Sequence, residues 1–339
     1  MLQAPRQGLL GKNPPVELAG VLIDPIDGQR PGILHIADGR ITAVEEAGGI
    51  EAPFIYPGFI DLQIYDYNGC TAWGITGYLA TVGTSASGAV ERFLAELPDD
   101  EVCLGAHVEG PYLSLEKAGA QAAEHIRAVD LEELGRWLAT GRVRMVTLAS
   151  EAEGAFEAID HIVEAGAVAA IGHTATNYYT TRAAIDRGAR FATHIWNAMS
   201  GFTARTPGAV GTLLADDRVT LGLIADGRHL HPATEEVTVR SAGPMRIALT
   251  SDMVAPPQED EATGRLRGGD RCGAALVRRM ARRFGYPEAV AMASLVPAQL
   301  LGLGDRGRLA PGYRADIAVL APDFAPLQTL IAGMPVWPT

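Results

Sequence analysis

Lysine is almost missing from this 339-residue chain: of its 28 basic residues only Lys12 and Lys117 are not arginine, and the acidic excess gives a net charge of −12. A protein that holds nucleic acid or an anionic membrane presents a basic face, so neither partner is expected. A small anion bound by a few planar guanidinium groups remains compatible with this balance. Cysteine is scarce as well. Cys70, Cys103 and Cys272 form no CxxC pair and are odd in number, which argues against a disulfide framework and for a reducing, cytoplasmic setting. No apolar run approaches the ~18 residues of a membrane helix. Met1 to Pro15 is broken by prolines and polar residues where a signal peptide would be continuously apolar. Internal repeats, low-complexity tracts and a GxSxG elbow are absent. Gly302 to Gly307 matches GxGxxG in letters, but it follows a helical pattern rather than a strand and reads as a loop.

What remains is the composition of a globular protein, 47% hydrophobic and 20% charged. From Val16 to Val44 short alternating runs are separated by Asp24 to Gly28 and by Asp38-Gly39, the latter a hairpin signal. Similar spacing returns at Ile317 to Leu320 and Leu327 to Val336. Both termini are therefore expected to build one small β-sandwich domain from residues 1–53 and 306–339. Residues 54–305 between them have the size of a (β/α)8 barrel. That segment carries eight apolar runs: Ile55 to Ile64, Gly77 to Val82, Val102 to Val108, Val143 to Leu148, Ala167 to Ile171, Phe191 to Thr193, Val219 to Ile224 and Met245 to Thr250. Helical patterns alternate with them at Ala89 to Leu97, Leu131 to Thr140, Glu157 to Ala165 and Tyr179 to Arg187, which favours a parallel sheet with crossover helices. Ala274 to Phe284 and Pro287 to Leu301 read as two further helices. Tyr65 to Ile75 is too short for a full first helix, so the expected fold is an α/β TIM-like barrel with that helix reduced.

Four polar residues stand at or just beyond the ends of inferred strands: Glu109, His173, His194 and Asp252. Barrel active sites lie on that C-terminal face. Two imidazoles and a carboxylate leave an open position on Zn²⁺ or Fe²⁺, where water can be bound and acidified, and Asp252 is then the general base. His107, two residues before Glu109, is placed just behind the ligands. His35, His125 and His161 read as ordinary hydrogen-bonded histidines.

These residues sit in a longer series. Tyr56-Pro57-Gly58-Phe59-Ile60-Asp61-Leu62, Gly105-Ala106-His107-Val108-Glu109-Gly110-Pro111-Tyr112, Ile171-Gly172-His173-Thr174, Thr193-His194-Ile195-Trp196-Asn197-Ala198-Met199, Ile224-Ala225-Asp226-Gly227-Arg228-His229 and Leu249-Thr250-Ser251-Asp252 follow one another in order. Over roughly Leu18 to Leu320 the chain resembles the N-acetylglucosamine-6-phosphate deacetylases of the amidohydrolase superfamily. The resemblance implies deacetylation of an amino-sugar phosphate, with one divalent metal ion, Zn or Fe, on Glu109, His173 and His194. It also implies that Asn197 and Ala198 meet the sugar phosphate, that Arg205 and His229 complete the phosphate site, and that the protein is a homodimer sharing that site between subunits. Three departures from the family pattern stand out. Gln63 and Tyr65 occupy the His-x-His positions of a second metal, which implies a mononuclear centre with Gln63 behind it. Gln121 occupies the place of a histidine that touches substrate. Met253 to Gly268 is shorter than the family's usual flap. Deacetylation of N-acetylgalactosamine 6-phosphate, another N-acyl substrate, or a weakly active sugar-phosphate-binding role stay open as alternatives.

Overall fold

The computed structural model describes residues 15–256, 258–259 and 266–338. At the N-terminus β1 (Val16–Asp24), β2 (Gly28–Ala37) and β3 (Arg40–Glu46) form an antiparallel meander. The β2–β3 turn is Asp38-Gly39 with φ of 50° and 75°, the pair of left-handed residues that a two-residue hairpin of this twist demands. β4 (Phe54–Pro57) pairs parallel to β1 and antiparallel to β15 (Ile317–Leu320), which continues into β16 (Pro326–Ile331) and β17 (Met334–Trp337). The seven strands make one sheet in the order β17-β16-β15-β4-β1-β2-β3. It curls until the β3 edge meets residues 312–315, where Ile41 N donates to Tyr313 O at 2.9 Å and Ala315 N to Gly39 O at 2.9 Å. Leu22, Leu34, Ile41, Ile55, Ile317 and Leu330 fill the fold thus closed.

Asp24 ties the two ends of the chain together. Its buried carboxylate accepts from Ile26 N and Asp27 N at 2.9 Å each, from Leu309 N at 2.7 Å and from Arg308 Nη2 at 2.9 Å. Burial alone would raise this carboxyl, but Arg308 and the three backbone donors hold it below the ordinary aspartate value. Asp24→Ala is expected to cost about 3 kcal/mol in denaturant unfolding, since it strands Arg308 and the N–H groups. Because the folded pKa is depressed, the contribution is complete above the ordinary value of about 3.9 and fades as the pH falls through the folded one. A loss below ~0.5 kcal/mol would make Asp24 an ordinary solvated turn residue.

The expected first barrel strand, Ile55 to Ile64, is two strands. Phe54–Pro57 belongs to the terminal sheet, and only β5 (Phe59–Ile64) enters the barrel. The chain crosses at Gly58, whose N–H is taken by Asp316 O at 2.8 Å and where a Cβ would fall 2.1 Å from Thr76 Oγ1. An uninterrupted apolar run hides such a crossing because both sheets bury it.

From β5 the barrel continues through β6 (Ile75–Val82), β7 (Cys103–Glu109), β8 (Val143–Leu148), β9 (Val168–Ile171), β10 (Phe191–Ala192), β11 (Thr220–Leu223) and β12 (Ile247–Leu249), all parallel and in chain order. The seam between β12 and β5 is closed just above the strands: Asp252 N donates to Gln63 O at 2.8 Å and Tyr65 N to Met253 O at 3.0 Å. The first crossover holds only a 3-10 turn, Cys70–Trp73, in keeping with the short spacing. The later crossovers carry α1 (Ala89–Glu96), α2 (Leu131–Ala139), α3 (Ala155–Glu164), α4 (Tyr178–Asp186), α5 (Gly208–Ala215) and α6 (Pro232–Ala242). Asp130 caps α2 by accepting from Glu132 N and Glu133 N, and Asn177 caps α4 by accepting from Thr180 N. After β12, β13 (Gln258–Glu259) and β14 (Leu266–Arg267) pair as a short ribbon; the rest of the stretch expected to be a shortened flap lies partly outside the described residues. α7 (Ala274–Phe284) follows. The last stretch, expected as one helix, runs as Tyr286–Val290, a wider π turn at Ala291–Leu295, and Val296–Leu300. The π turn falls just before Pro297, which has no N–H to give to a regular i→i−4 bond.

Candidate active site

Glu109 is the last residue of β7, His173 and His194 stand two residues beyond β9 and β10, and Asp252 stands three beyond β12. The strand ends converge, as in any parallel barrel, so residues far apart in sequence meet at one mouth. Backbone strain marks the same rim. His173, His194, Trp196, Ala198 and Asp252 all have positive φ, between 33° and 80°, a region costly to residues other than glycine. Such conformations persist where surrounding structure imposes them.

His173 Nε2 lies 3.1 Å from Glu109 Oε1, His194 Nε2 lies 2.9 Å from the same oxygen, and the two Nε2 atoms are 3.1 Å apart. Three donor atoms facing one point at this spacing resemble a face of a tetrahedral site, where ligands ~2.0–2.1 Å from zinc stand about 3.3 Å from one another. All three residues are buried, and they form the one cluster among the described residues whose ligand atoms are close enough to share a metal ion. His173 Nδ1 donates to Lys117 O at 2.8 Å, which leaves its Nε2 with a lone pair toward the cluster. His194 Nδ1 is buried without a hydrogen-bond partner among the described residues. Two Nε2 atoms and one carboxylate oxygen cannot be well satisfied by protons alone at this spacing, whereas one divalent cation satisfies all three. The donor set therefore fits Zn²⁺ or Fe²⁺.

The electrostatics of the bare cluster agree. Burial alone would raise the Glu109 carboxyl, but the hydrogen bonds and charge of the two histidines hold it well below the usual carboxylate range. Burial would likewise lower His173, and its bonds to Glu109 and Lys117 O raise it instead. The site is built to pair an anion with positive charge. Asp252 behaves in the opposite way: burial, then the negative charges of Glu109, Asp61 and Asp226, push it well above the usual range. Its Oδ1 accepts from Gln63 Nε2 at 2.9 Å. Asp61, raised to about 6 by burial, accepts from Ser251 N at 3.2 Å and fixes the residue before Asp252.

His107 lies deeper in the barrel. Its ring spans Leu62 O at 2.9 Å and Thr147 Oγ1 at 2.7 Å, and Thr147 Oγ1 is 2.7 Å from Thr193 Oγ1, next to His194. Burial lowers its pKa to about 4, so it is neutral. It steadies the strand that delivers His194, and it makes no hydrogen bond to any of the three cluster residues.

A cavity of about 940 Å³ opens over the cluster and is lined by Glu109, Gln121, His173, His194, Asn197, Ala198, His229 and Asp252, among others. Asn197 Nδ2 donates to His194 O at 3.1 Å. His229 Nδ1 is 2.8 Å from Asp226 Oδ2, while Asp226 Oδ1 accepts from Arg228 N and His229 N. Burial would raise Asp226, but these bonds hold it at about 2. Arg205 is different. It is exposed on the loop between β10 and α5 and does not line this cavity. Lys117, Arg228 and Tyr65 also line it and were not singled out from the sequence as contacts. Arg228 sits inside the Asp-Gly-Arg-His turn, where an Asx-type turn was a readable signal for a presented cation. Tyr65 had none, since its hydroxyl reaches Glu109 Oε2 only through the closed barrel. Its phenol is pushed well above the ordinary value by burial and by Glu109 and Asp252. The three cysteines are free, and no helix among the described residues is long and apolar enough to cross a membrane.

The Amidohydrolase family model matches residues 69–336. N-acetylgalactosamine-6-phosphate deacetylase of Escherichia coli O157:H7 is 32% identical, with 88% of this chain and 93% of that protein covered. N-acetylglucosamine-6-phosphate deacetylase of Bacillus subtilis is 30% identical, covering 89% and 92%. Among solved structures, N-acetylglucosamine-6-phosphate deacetylase of Thermotoga maritima superposes with a TM-score of 0.90 at 26% identity, over 96% of this chain and all of that one. An aspartate-to-alanine variant of the Mycobacterium smegmatis enzyme in complex with N-acetyl-D-glucosamine-6-phosphate gives 0.86 at 31% identity, over 96% of this chain and all of that one.

Proposed function

Since the chain belongs to the amidohydrolase family, in the branch of the N-acetylated amino-sugar 6-phosphate deacetylases, we propose that it hydrolyses N-acetylglucosamine 6-phosphate to glucosamine 6-phosphate and acetate. It is accordingly a hydrolase of a carbon–nitrogen bond. The observation that carries the proposal is that the three-donor cluster and Asp252 line one cavity.

Glu109, His173 and His194 would hold one Zn or Fe ion, which when bound supplies polarisation of the acetamide carbonyl and acidification of water. Asp252 does the proton work. Gln63 occupies its Oδ1, so Oδ2 is the oxygen that takes a proton from the attacking water and returns it to the amine nitrogen as the C–N bond breaks. Buried Asp61 and the seam bond from Asp252 N to Gln63 O hold that carboxylate in register. Asn197 and Ala198 line the space the sugar would fill, and His229, oriented by Asp226, is directed to its phosphate. Arg205, outside the cavity of its own chain, would serve the phosphate in the site of a second copy, which makes the working form a homodimer. The free cysteines suit a cytoplasmic location.

Acetate release from N-acetylglucosamine 6-phosphate, N-acetylgalactosamine 6-phosphate and their unphosphorylated sugars tests the assignment. The galactosamine epimer is the second reading, because its deacetylase in Escherichia coli is as similar to this chain as the glucosamine enzymes are. No acetate from any of the four would end both. Arg205→Ala should raise KM for the phosphorylated substrate roughly 10- to 100-fold, the worth of a charge-assisted bidentate contact, and leave the unphosphorylated sugar unaffected. Equal losses on both substrates would remove Arg205 from the phosphate site.

A further inference from the structure

We propose that Gln121 and Tyr65 form a directed hydrogen-bond relay that reserves Glu109 for a single cation, so that Gln121 serves the metal centre through Tyr65 rather than reading the sugar. The proposal rests on the metal reading above. Its first observation is that the two oxygens of Glu109 are divided. Oε1 faces both imidazoles, and Oε2 accepts the Tyr65 hydroxyl.

The direction of the relay follows from its far end. Thr84 N can only donate, and it donates to Gln121 Oε1 at 2.8 Å. That fixes the amide, so Gln121 Nε2 points at the Tyr65 oxygen, 3.2 Å away. Tyr65 accepts there, and its one proton is left for Glu109 Oε2. Each link thus determines the next, from a backbone N–H to the carboxylate. The packing allows it because residue 83 is glycine: a Cβ would lie 2.9 Å from Gln121 Oε1 and 3.4 Å from the Tyr65 hydroxyl.

A carboxylate bridges two cations most readily with one oxygen on each. Here a neutral donor already holds Oε2, and Gln63, the other side chain at that position, is engaged with Asp252. The groups that would bind a second ion are replaced by a network that keeps Glu109 oriented and singly committed. Tyr65 and Gln121 are positioning residues in this scheme.

The test measures zinc affinity by competition with a chromophoric chelator and zinc content by elemental analysis, in the wild type, Tyr65→Phe, Gln121→Met and the double variant. Phenylalanine keeps the buried ring and methionine the side-chain length, so each keeps the packing. Each single change is expected to weaken zinc binding about 10- to 100-fold, as groups behind metal ligands do. The double variant should bind no more weakly than Tyr65→Phe, because both act along one path. The wild type should stop at one equivalent in excess zinc. Unchanged affinity in the singles, additive losses in the double, or a Gln121→Met variant that raises only KM for substrate would overturn the relay. A wild type that takes up no zinc would instead overturn the metal reading, and the relay with it.

Discussion

Asp252→Asn should lower kcat by at least ~10²-fold and by up to ~10⁴-fold, the range contributed by a positioned general base and acid. The substitution isolates basicity. Asparagine has the same shape, tolerates the left-handed backbone that this position adopts at φ 50°, and can still accept from Gln63 Nε2 through its carbonyl. What it cannot do is take a proton from water and hand it to the amine. Because Asp252 is crowded by Glu109, Asp61 and Asp226, removing its charge relieves repulsion, so thermal stability should hold or rise. Metal content and substrate affinity should be retained. If Asp252 only capped the following loop, Asp252→Asn would keep most activity or would lose activity and stability together. Either outcome would remove the mechanism proposed here.

How much of this was legible beforehand depended on whether a signal was local. Alternating runs, Asp38-Gly39 and helical periodicity act over a few residues, and the meander and the crossover helices follow from them. Glu109, His173, His194 and Asp252 could be found because each is a polar residue abruptly ending an apolar run, and barrel topology brings such ends together. The break at Gly58 was hidden, since β4 and β5 are both buried and their apolar runs merge. The π turn before Pro297 was not read, because the apolar pattern runs unbroken through it. The partners of Tyr65 and Gln121 were out of reach altogether. Nothing within ten residues of either announces Glu109 or Thr84, which closure of the barrel alone delivers. The resemblance suggested a substrate contact for Gln121, and its amide is bonded to Thr84 N and the Tyr65 hydroxyl.

Glu109→Gln should abolish stoichiometric metal binding, with an affinity loss on the order of 10³-fold or more, since even groups behind ligands cost about 10- to 100-fold. Glutamine preserves volume in a position that is 1% exposed, and its carbonyl can still receive the Tyr65 hydroxyl, so the fold should persist. What disappears is the negative charge toward which both imidazoles converge. With a neutral amide between them, His173 Nε2 and His194 Nε2 at 3.1 Å are left without the anion that balances a divalent cation. Two measurements follow the loss without using turnover. Elemental analysis after dialysis should find far below one equivalent, against about one in the wild type. Zinc at concentrations that saturate the wild type should raise its melting temperature by mass action and leave that of Glu109→Gln unmoved. Turnover should fall in parallel with metal content and recover in part at high zinc, because His173 and His194 still offer two ligands. A variant that kept its full equivalent through dialysis would place the metal elsewhere, and with it the water that Asp252 is proposed to activate.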